Sequence, residues 1–302
     1  MNTPVAPKIS VIIPVYNQSR LLRHTLESLK RQTFQSFEVI VVDDASSDDS
    51  YEVAQKYTKK VFKNVVNKGP AYNRNLGIKV AEADLIVFTD SDCVADEKWL
   101  EHTYEAMKEK SVGVIMGNTD IPKSTYLGDS ISTLGFPAGG SIGFNKIWKV
   151  DENGLTDHIS TCNVAIRKSI LDKHGSFDES FPLAGGEDTE LSHRYNQNGV
   201  KIKYEPKAKI FHIPRDNLSS FFKWQIYRGR SNYHIKKKLG KIGDFVKLRF
   251  WSSKNVLKHN LLDKKLPMVF FLLGSSFALQ QYGYFKEKIS DKANKTNEAK
   301  KE

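Results

Sequence analysis

Leu85-Ile86-Val87-Phe88-Thr89-Asp90-Ser91-Asp92-Cys93 is the stretch on which the reading of this chain turns. Five apolar or β-branched residues run without alternation and end in two carboxylates at i and i+2. A strand apolar on both faces is buried on both faces, the pattern of a parallel sheet covered by helices. In such sheets ligands bind at the carboxyl ends of the strands. Asp90 and Asp92 therefore stand where a substrate would be, able to converge on one divalent cation. Oxygen ligands suit Mg²⁺ or Mn²⁺, which keep coordination positions open for substrate phosphates. Asp-x-Asp is also common in surface turns. Its place after a buried strand favours the cation.

Upstream the same grammar repeats. Ile9–Val15 is a β-branched run containing Pro14, followed by Tyr16 and Asn17, and Leu21, Leu22, Leu26 and Leu29 then recur at near-helical spacing. A second fully apolar run, 39–42, ends in Asp43-Asp44. Ser47 or Asp48 can cap a helix carrying Val53, Ala54 and Tyr57. Residues 61–66 read as a short strand and 71–81 as a helix. Strands separated by helices of ten or so residues make βαβ units, so the expected fold class is α/β with a mostly parallel central sheet. Asp43 and Asp44 lie on the same rim as Asp90, able to accept hydrogen bonds from a base or ribose; a solvated turn is the competing reading.

Downstream the pattern breaks. Residues 121–159 are rich in Gly, Ser and Asn, including Gly139-Gly140 and Gly143, and read as a long mobile connection over the site. Order resumes at 160–167, with a short helix stopping at Gly175. Gly185-Gly186-Glu187-Asp188 opens a helix that ends at Gly199. A carboxylate there is stabilised by the helix dipole, and beside a substrate phosphate it can take an acceptor proton as general base. Residues 201–213 alternate like an edge strand and bring His212 to its end; neutral imidazole would suit Mn²⁺ as a further ligand, though a lone histidine is more often structural. No internal repeat is present.

Together these motifs resemble a family 2 glycosyltransferase of the GT-A fold, over residues 9–229. The resemblance rests on IleSerValIleIleProValTyrAsn, ValValAspAspAlaSerSerAspAspSer, LysGlyProAlaTyrAsnArgAsnLeuGly, PheThrAspSerAspCys, CysAsnValAlaIleArg, GlyGlyGluAspThrGluLeu and PheHis, in family order and spacing. It implies that Pro14 and Tyr16 line a nucleobase pocket and that Asp43 or Asp44 binds uracil or ribose. Asn73 and Arg74 resemble the segment contacting the nucleotide. Asp90 would reach ribose and metal, Asp92 and His212 would ligate Mn²⁺ or Mg²⁺, and Asp188 would be the base. Cys162, Asn163 and Glu187 would face the acceptor. The family is inverting, so the implied reaction is one in-line displacement from a nucleotide sugar, UDP-linked, onto a carbohydrate or lipid-linked acceptor in cell-surface polysaccharide or glycolipid synthesis. Residues 121–159 depart from the family pattern and would govern the acceptor.

Two rivals share part of this pattern. A sugar nucleotidylyltransferase would open with a Gly-rich basic phosphate loop, where this chain has ProValTyrAsnGlnSer. A non-catalytic sugar- or membrane-binding relative would lack Asp92, Asp188 or His212. The expected organisation is a GT-A domain over 1–216, divided into a nucleotide-sugar half (1–120) and an acceptor half (121–216), then a basic helical extension over 217–285 and a disordered tail over 286–302.

Charge separates along the same boundary. Residues 200–302 hold 24 Lys and Arg against 8 Asp and Glu, while the first 199 hold 22 against 27. A basic tail on an acidic body suits an anionic membrane surface. No nucleic-acid-binding motif accompanies it, so no nucleic-acid partner is expected. Leu266 opens a run of 20 residues without formal charge, of which 266–279 is apolar; that is short for a bilayer span and suits a dip into one leaflet. Two cysteines without disulfide or metal spacing, and an N-terminus without the features of a signal peptide, point to the cytoplasm and the inner face of the membrane.

Overall fold

The computed structural model describes residues 6–181, 185–240 and 243–298. Its first half is built from β1 (Ile9–Val15), α1 (Ser19–Lys30), β2 (Phe37–Asp43), α2 (Ser50–Gln55), β3 (Lys60–Lys63), α3 (Pro70–Val80) and β4 (Leu85–Thr89). β1 pairs in parallel with both β2 and β4, and β2 with β3. All five residues of β4 are buried, as its unbroken apolar run requires. Helix α3 lies close on this sheet because Gly77 has no side chain: a Cβ there would stand 2.4 Å from Ile12 Cγ2.

β3 is shorter than the expected 61–66. The Asn64 side chain donates to Asp44 and to Asn73, which draws the chain off the sheet and leaves Val65 and Val66 exposed.

The second half is not parallel throughout. β8 (Asn163–Arg167) lies antiparallel to β4, and β6 (Val114–Asp120) antiparallel to β8; β9 (Ile202–His212) then runs parallel to β6. The short strands β5 (Cys93–Ala95) and β7 (Leu155–Thr156) cover the far side of β9. The sheet is therefore mixed, and β9 is not an edge. Opposite Gly117 and Asn118 its register is irregular, and Pro206 and Lys207 there are exposed. Helices α4 (Trp99–Ala106), α7 (Lys168–His174) and α8 (Glu187–Gln197) complete this layer.

Residues 121–159, expected to be a loose loop, are folded. They contain α5 (Tyr126–Ser132), a 3₁₀ turn (Gly140–Ile142), α6 (Phe144–Ile147) and β7. Gly139 and Gly143, at φ 106° and 98°, make the sharp turns between these pieces. Those glycines imitate a linker composition, while Ile131, Leu134, Phe144, Ile147 and Trp148 are buried as part of the main core.

Helices α9 (Leu218–Leu239), α10 (Gly243–His259) and α11 (Leu266–Glu298) pack over that segment. Asn260 donates to Thr133 Oγ1 at 2.9 Å and Asn255 to the Lys146 carbonyl at 2.8 Å. α9 and α11 cross closely: a Cβ on Gly229 would meet Gln280 O at 2.1 Å, and one on Gly283 would meet Ile226 O at 2.2 Å. The tail expected to be disordered after Lys286 is helical through Glu298, and 299–302 lie outside the described residues. Glu287 pairs with Arg230 and His234, and Asp291 with Lys237 and Tyr233, fastening the tail to α9. Val269 and Leu272 are fully buried, whereas Phe270, Phe271 and Phe277 are more than half exposed. Among the described residues, no helix is long and apolar enough to cross a membrane.

Candidate active site

The rim formed by the carboxyl ends of β1, β2 and β4 gathers the first group of predicted residues. Asp43 ends β2 with no solvent exposure; its Oδ1 accepts from the Ser46 N–H at 2.8 Å. Its Oδ2 is buried without a hydrogen-bond partner, 3.8 Å from Lys63 Nζ. An unsatisfied buried carboxylate oxygen is costly unless a ligand supplies the donor. Asp44, in contrast, is spent on the protein: it accepts from Asn64 Nδ2 and from the N–H groups of Lys68 and Gly69, at 2.8–2.9 Å. Asp43 thus keeps an oxygen that no protein hydrogen bond uses, whereas Asp44 fixes the approach to α3. Pro14 lies in β1, and Tyr16 just beyond it is half exposed. Asn73, buried on α3, accepts from Asn64.

Arg74, also on α3, is 3% exposed and ties the two halves of the site together. It donates to Asp90 Oδ1 at 2.9 Å and to Glu187 Oε1 at 3.0 Å. Burial works against its charge, but Asp90 and Glu187 outweigh that and hold its pKa above the usual value. Glu187 is itself buried, and burial together with the neighbouring Asp188 carboxylate pushes its pKa up in spite of Arg74. Its second oxygen accepts from the Gly185 N–H at 2.7 Å. Glu187 is thus a partner for Arg74. Asp188 occupies the first turn of α8 and accepts from the Thr189 N–H at 2.7 Å. Burial raises its pKa too, opposed by Arg74 and by backbone N–H groups at the helix start. A base of raised pKa, oriented by its helix, is suited to accept a proton.

The two carboxylates of Asp-x-Asp part company. Asp90 is held by the buried Arg74 and stands outside the group of possible metal ligands around Asp92. Asp92 meets His212, its Oδ1 3.3 Å from Nε2. The β5–β9 pairing makes this contact: Cys93 is opposite His212, and the Ile213 N–H donates to the Asp92 carbonyl at 2.9 Å. His212 Nδ1 lies 2.8 Å from the Ile213 carbonyl, so Nδ1 is the donor and Nε2 faces the carboxylate. An imidazole fixed through its other nitrogen and turned toward a carboxylate is the usual posture of a metal ligand. Asp92 and His212 therefore fit a divalent ion. Cys93 completes a group whose ligand atoms all lie within 4.8 Å. Burial raises its thiol pKa well above the ordinary range, so it stays protonated, and sulfur is a poor match for hard cations.

Arg74, Asp90, Glu187 and Asp188 line one cavity of about 210 Å³. Its other walls are Phe136, Trp148, His158, Ser160, Thr161, Trp224, Arg228 and Arg249, from the refolded 121–159 segment, the chain just after it, and α9 and α10. His158 stacks on Trp148, its centroid 3.3 Å away, and burial beside Arg249 and Arg228 depresses its pKa to about 3, so it is neutral. Cys162 and Asn163, expected on the acceptor side, lie inside the sheet. The Asn163 amide accepts from Trp99 Nε1 and donates to the Asn118 and Ala208 carbonyls, at 2.7–2.9 Å. Burial drives the Cys162 thiol to about 12. Ser160 and Thr161 hold the cavity positions instead.

Residues 10–175 match the family model of glycosyl transferase family 2. The chain belongs to that family. It is 31% identical to chondroitin synthase of Pasteurella multocida over 238 residues, 68% of this chain and 24% of the synthase. It is 28% identical to the pre-mycofactocin glycosyltransferase of Mycobacterium tuberculosis over 236 residues, 74% of this chain and 46% of that protein. The chain thus spans about a quarter to a half of the length of these curated relatives. Among solved structures, the mannosyltransferase PcManGT from Pyrobaculum calidifontis in complex with GDP-Man and Mn²⁺ superposes with a TM-score of 0.57 at 17% identity, covering 94% of this chain and 84% of that one. The fold is that of the GT-A glycosyltransferases. For a family 2 chain, the residues that sequence reasoning missed are the aromatic and basic walls: no spacing marks Trp148, His158, Arg228 or Arg249, which meet only through long-range packing.

Proposed function

We propose that the protein is a metal-dependent inverting glycosyltransferase that moves a sugar from a UDP-sugar to an acceptor hydroxyl, in the synthesis of a cell-surface polysaccharide or glycolipid at the inner face of the membrane. The observation that carries this reading is the single cavity in which Asp188 faces Arg74 and Asp90. Asp43 Oδ2, buried and without a hydrogen-bond partner, is matched to the imide N–H of a uracil. Asp90, held by Arg74, would accept from the ribose hydroxyls. Asp92 and His212 would hold a divalent ion, which when bound would supply charge to neutralise the departing diphosphate.

The remaining work falls to Asp188. Its free carboxylate oxygen accepts the proton of the acceptor hydroxyl as that oxygen bonds to the anomeric carbon. The bond to the diphosphate breaks on the opposite face and its electron pair leaves with the diphosphate, inverting the configuration. Ser160, Thr161 and Trp148 wall the acceptor side, and Trp148 Nε1, buried without a partner, has a donor to offer. Leu261, Leu262 and Phe270 stand exposed near Lys258, Lys264 and Lys265, a combination suited to an anionic leaflet.

A donor-hydrolysis screen of the purified protein with a panel of nucleotide sugars and Mn²⁺ tests the reading. Release of UDP from one UDP-sugar, abolished by EDTA, is expected. Inertness toward every nucleotide sugar, with or without a panel of acceptors, would overturn it.

A further inference from the structure

The metal pair has a third neighbour. Among the described residues, Asp92, Cys93 and His212 are the one group of three potential metal ligands whose ligating atoms all lie within 4.8 Å of one another. Strand pairing puts them there. Cys93 and His212 are direct partners across the antiparallel β5–β9 ladder, so their side chains fall on the same face of the sheet. Asp92 precedes Cys93 in the turn, and its Oδ1 stands 3.3 Å from His212 Nε2 and 3.9 Å from Cys93 Sγ. A tetrahedral ion with bonds of about 2.0 Å to nitrogen and oxygen and about 2.3 Å to sulfur spaces its ligand atoms by about 3.3–3.5 Å. The oxygen–nitrogen edge already has that length, and only the sulfur corner has to close.

These three atoms do not suit one kind of ion. Oxygen and imidazole serve Mn²⁺ or Mg²⁺, and for these the thiol is a bystander. With the sulfur included, the set becomes one oxygen, one nitrogen and one sulfur, the donors of a zinc site. The two sets differ in depth as well. The side chains of Asp92 and His212 are 18% and 11% exposed at the rim, whereas Cys93 is 1% exposed. An ion that takes the sulfur is drawn inward, away from the rim where a diphosphate would lie. It also keeps fewer open positions: tetrahedral zinc on three protein ligands has one left, while octahedral Mn²⁺ on two has four.

Resting on the reading of Asp92 and His212 as the metal ligands of a transferase, we infer that the site has a second, thiophilic mode, in which Cys93 joins them to hold Zn²⁺ and the nucleotide diphosphate is shut out. In that mode a zinc–sulfur bond replaces the S–H bond and the proton leaves to solvent. Cys93 is thus a determinant of metal selectivity. It is idle with the ion that transfer needs and engaged by the ion that blocks it.

Co²⁺ stands in for zinc and reveals a thiolate ligand by a near-ultraviolet charge-transfer band, so its titration into the full-length protein tests this without any nucleotide. The band is expected in wild type and in Cys162→Ala, should be absent from Cys93→Ser, and should be displaced by added Zn²⁺. In competition titrations Cys93→Ser should lose at least about tenfold in Zn²⁺ affinity, while its Mn²⁺ affinity moves by less than about threefold. UDP should bind the Zn²⁺-loaded wild type at least about tenfold more weakly than the Mn²⁺-loaded protein, and Cys93→Ser should narrow that gap. Coincident melting curves check the fold of the variants, and the wild-type band needs no variant at all. Co²⁺ binding without the band, equal Zn²⁺ affinity in wild type and Cys93→Ser, or UDP binding equally to the Zn²⁺- and Mn²⁺-loaded protein would overturn the inference. The outcomes separate from the donor screen: Mn²⁺-dependent UDP-sugar hydrolysis by a protein without the band removes the thiophilic mode alone, and the band in a protein inert toward every nucleotide sugar removes the transferase.

Discussion

Asp188→Asn separates the chemistry of the site from its architecture. The amide keeps the shape of the carboxylate, and its oxygen can still accept from the Thr189 N–H, a 2.7 Å contact in the native protein. What it loses is the capacity to take a proton. Loss of a general base costs about 10²–10⁴ in rate, which is roughly 3–5 kcal/mol of transition-state stabilisation. Stability should move the other way. Burial raises the Asp188 pKa above its ordinary 3.8. A folded-state pKa above the unfolded one means that the ionised form is disfavoured in the fold, by about 1.4 kcal/mol for each pKa unit. This cost is absent below the unfolded pKa and fully present above the folded one. The neutral variant escapes it, so it should melt at or above the wild-type temperature at pH 7, with the difference vanishing near pH 4. The raised pKa also sets the acid limb of the wild-type rate profile above the ordinary aspartate range. Transfer kinetics, nucleotide titration and thermal melts at the two pH values make the assay. Wild-type transfer by Asp188→Asn would refute the base assignment. Loss of UDP binding would show that the carboxylate is structural.

Four further outcomes are expected. Asp92→Ala should lose nearly all transfer and His212→Ala should weaken Mn²⁺ affinity more than UDP affinity, read by metal titration; full activity of Asp92→Ala in excess EDTA would remove the metal. Asp43→Asn replaces the orphaned acceptor with a donor and should weaken uridine nucleotide binding about ten- to a hundredfold, the range for a buried unsatisfied polar group, whereas unchanged affinity would release Asp43 from the nucleobase. Gly229→Ala forces a methyl against the Gln280 carbonyl and should destabilise the α9–α11 contact by about 1–3 kcal/mol, seen as faster amide exchange in α11. Replacing Leu261, Leu262 and Phe270 by Ser should reduce flotation with anionic vesicles, an effect that high salt should mimic; equal flotation would move the membrane contact elsewhere.

How much of this was legible in the sequence follows from the range of the interactions. β1, β2 and β4 announce themselves because burial on both faces forces an unbroken apolar run, and the carboxylates follow each run directly. Asp43, Asp90, Asp92 and Asp188 could be picked out this way, since local signals mark the end of a strand or the start of a helix. Their division of labour could not. That Asp90 serves Arg74 while Asp92 turns to His212 depends on a buried guanidinium 16 residues away and on a strand pairing across more than a hundred. Asp44 looked equal to Asp43 until its three donors, from a loop 20 to 25 residues on, were in place. Composition misled where it stood for structure. Glycines in 121–159 read as slack, yet at positive φ they are the corners of a packed unit. The lysines after 286 read as a frayed end, yet Glu287 and Asp291 recur four residues apart on the face that meets α9. The aromatic and basic wall of the cavity was the least legible, because its charge and its rings come from four separate stretches of chain. A cavity assembled that way can change its ligand without disturbing any strand, so the donor site of a family 2 chain is readable from its motifs while the acceptor site has to be read from its packing.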